Sequence, residues 1–291
     1  MMRSGVYLAV AAAVVPALAQ ATDSRFTGQF QVQGDYQETA ERDGKWSLST
    51  AQSWLGLEAV EEINGTRYLG VAEANVDPLA DTAEARQFYL SIEQVLYQVR
   101  AGRAATLEHR YLAEPVNLMQ GAGDNSSAVG QHLENYADRL IQLDLNSREA
   151  GFFSAEWQLK EAEAEDTLSA WTVVTGLYTA EGQASLSYHQ DEVDDAGRFG
   201  VAMRWADGPW ALSASYLFRE DPLAWDIGLD YQVSQIVSRV AYGRDETPGG
   251  EDYWTLGFEQ LYSVNVSNFF EVRWEPEQES LLGQLGFQLR L

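Results

Sequence analysis

Ser185, Ser187 and His189 occupy alternate positions, so an extended strand would carry a nucleophile and a base on one face. Hydrolysis would also need a third group on the same wall to orient the histidine, and in a serine-rich chain the coincidence is weak. The other histidines, His109 and His132, form no His-x-x-x-His pair, and the chain has no cysteine, so no transition-metal site is expected. The stretch GAGDNSSAVG lacks the Lys-Ser/Thr of a phosphate loop. The acidic run DEVDDAG lacks the distal glutamate and the regular spacing of a calcium loop. What remains is electrostatic. Residues 104–138 carry Glu108, Glu114, Asp124, Glu134 and Asp138 against one arginine, Arg110. Carboxylates gathered in one segment attract cations and repel anions without any cofactor. The chain is therefore expected not to be an enzyme, with no catalytic residue, no metal and no cofactor.

Carboxylates act on passing solutes only where a scaffold holds them beside a path. The scaffold is written in period two. FTGQFQVQGDY puts Phe26, Phe30, Val32 and Tyr36 on one face and Gln29, Gln31, Gln33 and Asp35 on the other. The pattern returns from Phe153 to Leu159, through Phe199–Trp205, Leu212–Phe218 and Trp254–Phe258, and closes with Leu285–Leu291. About sixteen such segments can be counted, each near the length that crosses a bilayer as a tilted strand. Apolar-out, polar-in alternation with an even count predicts an all-β, 16-stranded antiparallel transmembrane barrel over residues 22–291. Short turns such as EEINGT, TAEGQ and ADGP alternate with longer acidic loops such as DPLADTAEA and DETPGGE, which places both ends of the barrel on the periplasmic side.

Pro78, Pro115, Pro209, Pro222, Pro248 and Pro276 are all expected in connectors, because a central strand cannot spare the N–H that proline lacks. Trp46, Trp205, Trp210, Trp225, Trp254 and Trp274 fall at or near strand ends, as aromatic belts require. Strand parity turns Arg204, Arg219, Arg239 and Arg273 inward with Glu156, Asp226, Asp230 and Glu271. One segment, 104–138, is too long for a turn, and it follows the fifth strand.

Residues 1–21 read as a cleaved export signal: Arg3, an apolar core, then small residues at Ala17, Ala19 and Ala21. A net charge of −25 disfavours nucleic acid as a partner. Aromatic residues make up 12% of the chain, including 9 Trp, which suits a surface that meets lipid.

The stretch SWLGLEAVEEINGTRYLGVAEANVD resembles the second and third strands of the general trimeric porins of Gram-negative bacteria. ARQFYLSIEQVLYQVRAGR resembles their fourth and fifth strands, and LGFQLRL their last. The resemblance implies a homotrimer in the outer membrane, in contact with lipid and lipopolysaccharide, passing small hydrophilic solutes and cations. It implies that 104–138 folds into the barrel as a constriction loop, with Glu108, Glu114, Asp124 and Glu134 facing basic residues on the wall. Of the four basic wall places, this chain keeps Arg86 and Arg139 and has Gln29 and Trp54 at the others. Arg86 conflicts with its own parity, since it alternates in step with Phe88, Leu90 and Ile92. The resemblance places Arg103 at a subunit contact. Two other expectations stay open. One is a solute-specific channel in which Trp54 and Tyr111 stack against sugars. The other is a closed barrel with a structural, adhesive or enzymatic role.

Overall fold

The alternation becomes strand almost everywhere. The computed structural model describes residues 23–40, 42–121, 127–147, 151–160 and 168–291. The signal segment 1–21 and Asp124 lie outside the described residues. The strands of the first half are β1 (Asp23–Thr39), β2 (Arg42–Ser49), β3 (Trp54–Ile63), β4 (Thr66–Asp77), β5 (Thr82–Glu93), β6 (Tyr97–Ala105), β7 (Tyr136–Ser147) and β8 (Gly151–Leu159). Those of the second half are β9 (Leu168–Tyr178), β10 (Gly182–Asp191), β11 (Ala196–Asp207), β12 (Trp210–Phe218), β13 (Pro222–Val233), β14 (Ile236–Asp245), β15 (Asp252–Ser263), β16 (Val266–Glu275) and β17 (Ser280–Arg290).

Neighbours in sequence pair antiparallel from β3 to β17, and β17 returns to β1 over Gln29–Glu38, closing the ring. β2 and β3 are two parts of one stave. β1 pairs with β3 over Asp23–Gln29 and with β2 over Gln33–Thr39, while residues 50–53 leave the ladder between them. Seventeen segments thus make sixteen staves. The stave break is itself tied down: Thr50 Oγ1 donates to Asp77 Oδ1 at 2.5 Å, and the Gln31 amide donates to Ser53 Oγ at 3.0 Å.

Burial is inverted relative to a soluble domain. Phe26, Leu55, Leu90, Leu256 and Leu285 stand exposed on the outside, while Gln31, Gln142, Glu156, Asp226 and Glu271 are buried within. Only a hydrocarbon surround makes this arrangement favourable. Rows of rings, such as Trp225–Tyr242–Trp254 at 5.1 and 4.4 Å, cross neighbouring strands. The tight turn at Asn64–Gly65 uses φ of 53° and 76°, the left-handed pair that a two-residue hairpin demands. Pro222 departs from the connector rule: it opens β13, opposite Phe218 at a register shift. A first strand residue can lack an N–H without breaking the ladder.

Candidate functional site

Between β6 and β7, residues 106–121 and 127–135 run inside the barrel. This span is shorter than 104–138 because both flanking strands extend further than alternation alone shows. Leu107, Leu112, Ala113 and Val129 are fully buried, so the segment is packed against the wall. It forms a single π-helical turn at His109–Ala113 and a short helical turn at Ala128–Gln131, capped by Ser127.

Wall carboxylates hold the segment by its backbone. Glu156 accepts from the Leu107 amide at 3.0 Å. Asp226 accepts from Ala128 and Val129 at 2.9 and 2.7 Å, and also from the Tyr253 hydroxyl. Glu271 accepts from Gln120 and Gly121 at 2.6 and 2.8 Å. Two strands along the same wall, Gln31 and Gln33 donate to the carbonyls of Gln120 and Gly121, each at 3.1 Å. Parity had turned Glu156, Asp226 and Glu271 inward, and the structure shows what they grip. Apolar knobs complete the seat. An added Cβ at Gly200 would meet Leu112 at 2.2 Å, one at Gly228 would meet Leu118 at 2.3 Å, and one at Gly257 would meet Met119 at 2.9 Å. The wall is dented where the loop presses in.

The supposed hydrolytic pair is part of this seat. Ser185 Oγ donates to the Tyr111 carbonyl at 3.1 Å, and His189 Nδ1 lies 3.3 Å from Glu108.

Arg86 resolves its own conflict of parity. The β4–β5 register shifts between Glu73↔Gln87 and Ala74↔Ala85, so Arg86 is the extra residue of a β-bulge. The bulge re-aims its side chain to the lumen, where its Nε donates to Tyr136 Oη at 2.8 Å. Its guanidinium lies 3.5 Å from Glu73 and 4.6 Å from the centroid of Trp54. Arg103 makes contacts within its own chain. Its Nε donates to the carbonyls of Ala85 and Arg86 at 3.2 and 3.1 Å, and its Nη1 meets Asp138 at 2.9 Å. It therefore clamps the bulge. Gly102 beside it has φ of 140°, and a Cβ there would strike the Phe88 carbonyl at 2.2 Å.

A cavity of about 260 Å³ lies between this wall and the loop. Gln29, Trp54, Asn75 and Arg86 line it from the wall, with Glu114, Asn117 and Gln120 from the loop. The other expected site residues are elsewhere. Glu108 is buried and paired with Arg198, with Nε to Oε1 at 2.9 Å, so its charge is matched inside the seat. Glu134 is exposed near Gln158, at 3.5 Å. Tyr111 is buried, stacked on Phe152 at 4.7 Å. Arg139 is exposed at a φ of 58°, at the register shift between β6 and β7, and does not line this cavity. Sequence reasoning missed Asn117 and Gln120, which carry no charge signal, and the glycine dents, which have no side chain to read.

The profile of the Gram-negative porin family matches residues 7–267. No curated protein matches this chain. Among solved structures, an anion-selective porin from Comamonas acidovorans superposes with a TM-score of 0.72 at 14% identity, covering 92% of this chain and 99% of that one. OmpF of Salmonella typhi, in complex with daunomycin, gives 0.73 at 10% identity, covering 92% and 97%. The trimer form of OmpT from Vibrio cholerae gives 0.68 at 14% identity, covering 94% and 100%. At such identities the likeness is one of fold. Profile and barrel nevertheless agree over nearly the same span, and the chain belongs to the Gram-negative porin family, as a channel of the outer membrane.

Proposed function

We propose that the channel passes small hydrophilic solutes and ions by passive diffusion, with a preference for cations. The observation that carries this reading is the cavity between Arg86 and Glu114. It is lined by polar groups, and the loop beside it is held at many points. Its wall cation is partly answered by Glu73 at 3.5 Å and covered by the Trp54 ring, and Glu114 adds a carboxylate from the loop. With Gln29 and Trp54 in place of further cations, the local field favours positive solutes. The whole-chain charge of −25 acts in the same direction. A sugar-specific channel has less support, since Tyr111 is buried and Arg86 already covers one face of Trp54. The trimer form of the Vibrio cholerae relative supports a homotrimer here, and the outward apolar side chains suit a lipid and lipopolysaccharide surround.

Single-channel recording in a planar bilayer under a potassium chloride gradient tests the reading. A reversal potential of cation-selective sign is expected. An anion-selective sign, like that in the name of the Comamonas relative, would overturn the charge argument. Absence of any conductance would overturn the diffusion reading altogether.

A further inference from the structure

A second cavity, of about 520 Å³, lies between the loop and strands β9–β11. Thr179 and Glu181 of the short turn after β9 border it, so it opens toward the periplasmic side. The wall supplies a row in register: Tyr178 stands opposite Gln183, and Gln183 opposite Arg204. Directly opposed residues share a face, so all three point into the lumen. The loop supplies Arg110 and Glu114.

Three features define what this cavity fits. First, its lining carries both signs, Arg110 and Arg204 with Glu114 and Glu181, and each arginine has a carboxylate beside it, Asp144 at 3.4 Å and Asp230 at 2.9 Å. Second, the opposite signs are held close along the loop. Arg204 Nη1 donates to the carbonyl of Pro115, next to Glu114, at 3.4 Å, and Nη2 meets Asp230 at 2.9 Å. The Arg204 side chain is still 41% exposed, with further N–H donors to offer. Third, Tyr178 offers a ring that is 43% exposed and backed by Phe152 at 4.8 Å, which in turn stacks on Tyr111. A simple anion would meet the two glutamates, and a simple cation the two arginines. A neutral sugar can hydrogen-bond to these groups but carries no charge to match either sign.

We propose that this cavity is a binding subsite for zwitterionic amino acids, favouring aromatic ones. The carboxylate would lie on Arg204, the ammonium on Glu114 and the ring on Tyr178. The proposal rests on the channel reading only in that the solute must reach the lumen.

The test is calorimetric titration of the folded, full-length barrel in detergent with L-phenylalanine, which requires no conduction. Saturable binding is expected. 3-Phenylpropionate, which lacks the ammonium, and 2-phenylethylamine, which lacks the carboxylate, should bind at least about tenfold more weakly, since each loses a charge-assisted contact. Arg204→Gln should weaken phenylalanine by a similar factor. Arg25→Gln, the same charge change at an exposed pair with Glu58, should not. If Arg204→Gln does not fold, Tyr178→Leu serves instead, and should abolish the preference for phenylalanine over alanine. No saturable binding would overturn the proposal. So would equal binding of the amine or the acid alone, or wild-type affinity in Arg204→Gln. A barrel that binds phenylalanine but carries no current would sink the diffusion reading and leave the subsite standing.

Discussion

Two charged residues, one on the wall and one on the loop, line the smaller cavity, and they can be separated. Glu114 is exposed on the loop, while Arg86 on the wall is held by Tyr136, Glu73 and Trp54. Glu114→Gln is expected to lower the potassium-over-chloride permeability ratio by about twofold, the scale of a solvent-exposed charge interaction. Arg86→Gln should raise it. Both are read as shifts in reversal potential, and a shift of the same sign in the two variants would refute the opposition. The Arg86 geometry also shows why a single residue can mislead. Alternation assigns it to the outer face with Phe88. The bulge that turns it inward depends on how β5 pairs with β4 and on the Arg103 clamp, neither of which is visible locally.

At the scale of elements, the loop is a packed strap and the strands are a lipid-facing wall. Asp226 answers two loop amides and the Tyr253 hydroxyl in a buried setting. Asp226→Ala would orphan these donors, at about 1–3 kcal/mol for each buried group left unpaired. Amide exchange at Ala128 and Val129 should then quicken by at least about tenfold, measured by mass spectrometry on the folded barrel. Gly228→Val should have a similar effect through a different cause, because its side chain would occupy the place of Leu118. On the wall, Leu256 points outward between Trp254 and Phe258. Leu256→Arg should cost about 2–4 kcal/mol, the depth-dependent penalty for a cation on the lipid face. Urea titration of folding into lipid vesicles would measure it.

At the scale of the molecule, the barrel closes on itself, so its ladders leave no sheet edge around the ring. Assembly therefore cannot use edge-strand pairing, and a homotrimer is the expected product. Sedimentation in detergent, corrected for bound detergent, should give three copies per particle. A monomer stable across the accessible concentration range would contradict this.

The sequence by itself determined the strand ladder, the inside and the outside of the barrel, and the place of the long segment after the fifth stave. Period-two alternation is a local property, and a bilayer demands it wherever a regular stave faces lipid. The same reading overextended the loop by a few residues, because strand ends lose their alternation before they lose their partners. Tertiary structure alone decided the rest. It placed Glu108 in a buried pair with Arg198, kept Glu114 exposed, withdrew Tyr111 and moved Arg86 to the lumen. It also turned Glu156, Asp226 and Glu271 into anchors for loop amides. Each of these depends on what lies opposite across a closed barrel, as many as 151 positions away in the chain for Glu271 and Gln120. A residue's type and parity say which way it points, whereas only the register of the whole ring says what it meets there.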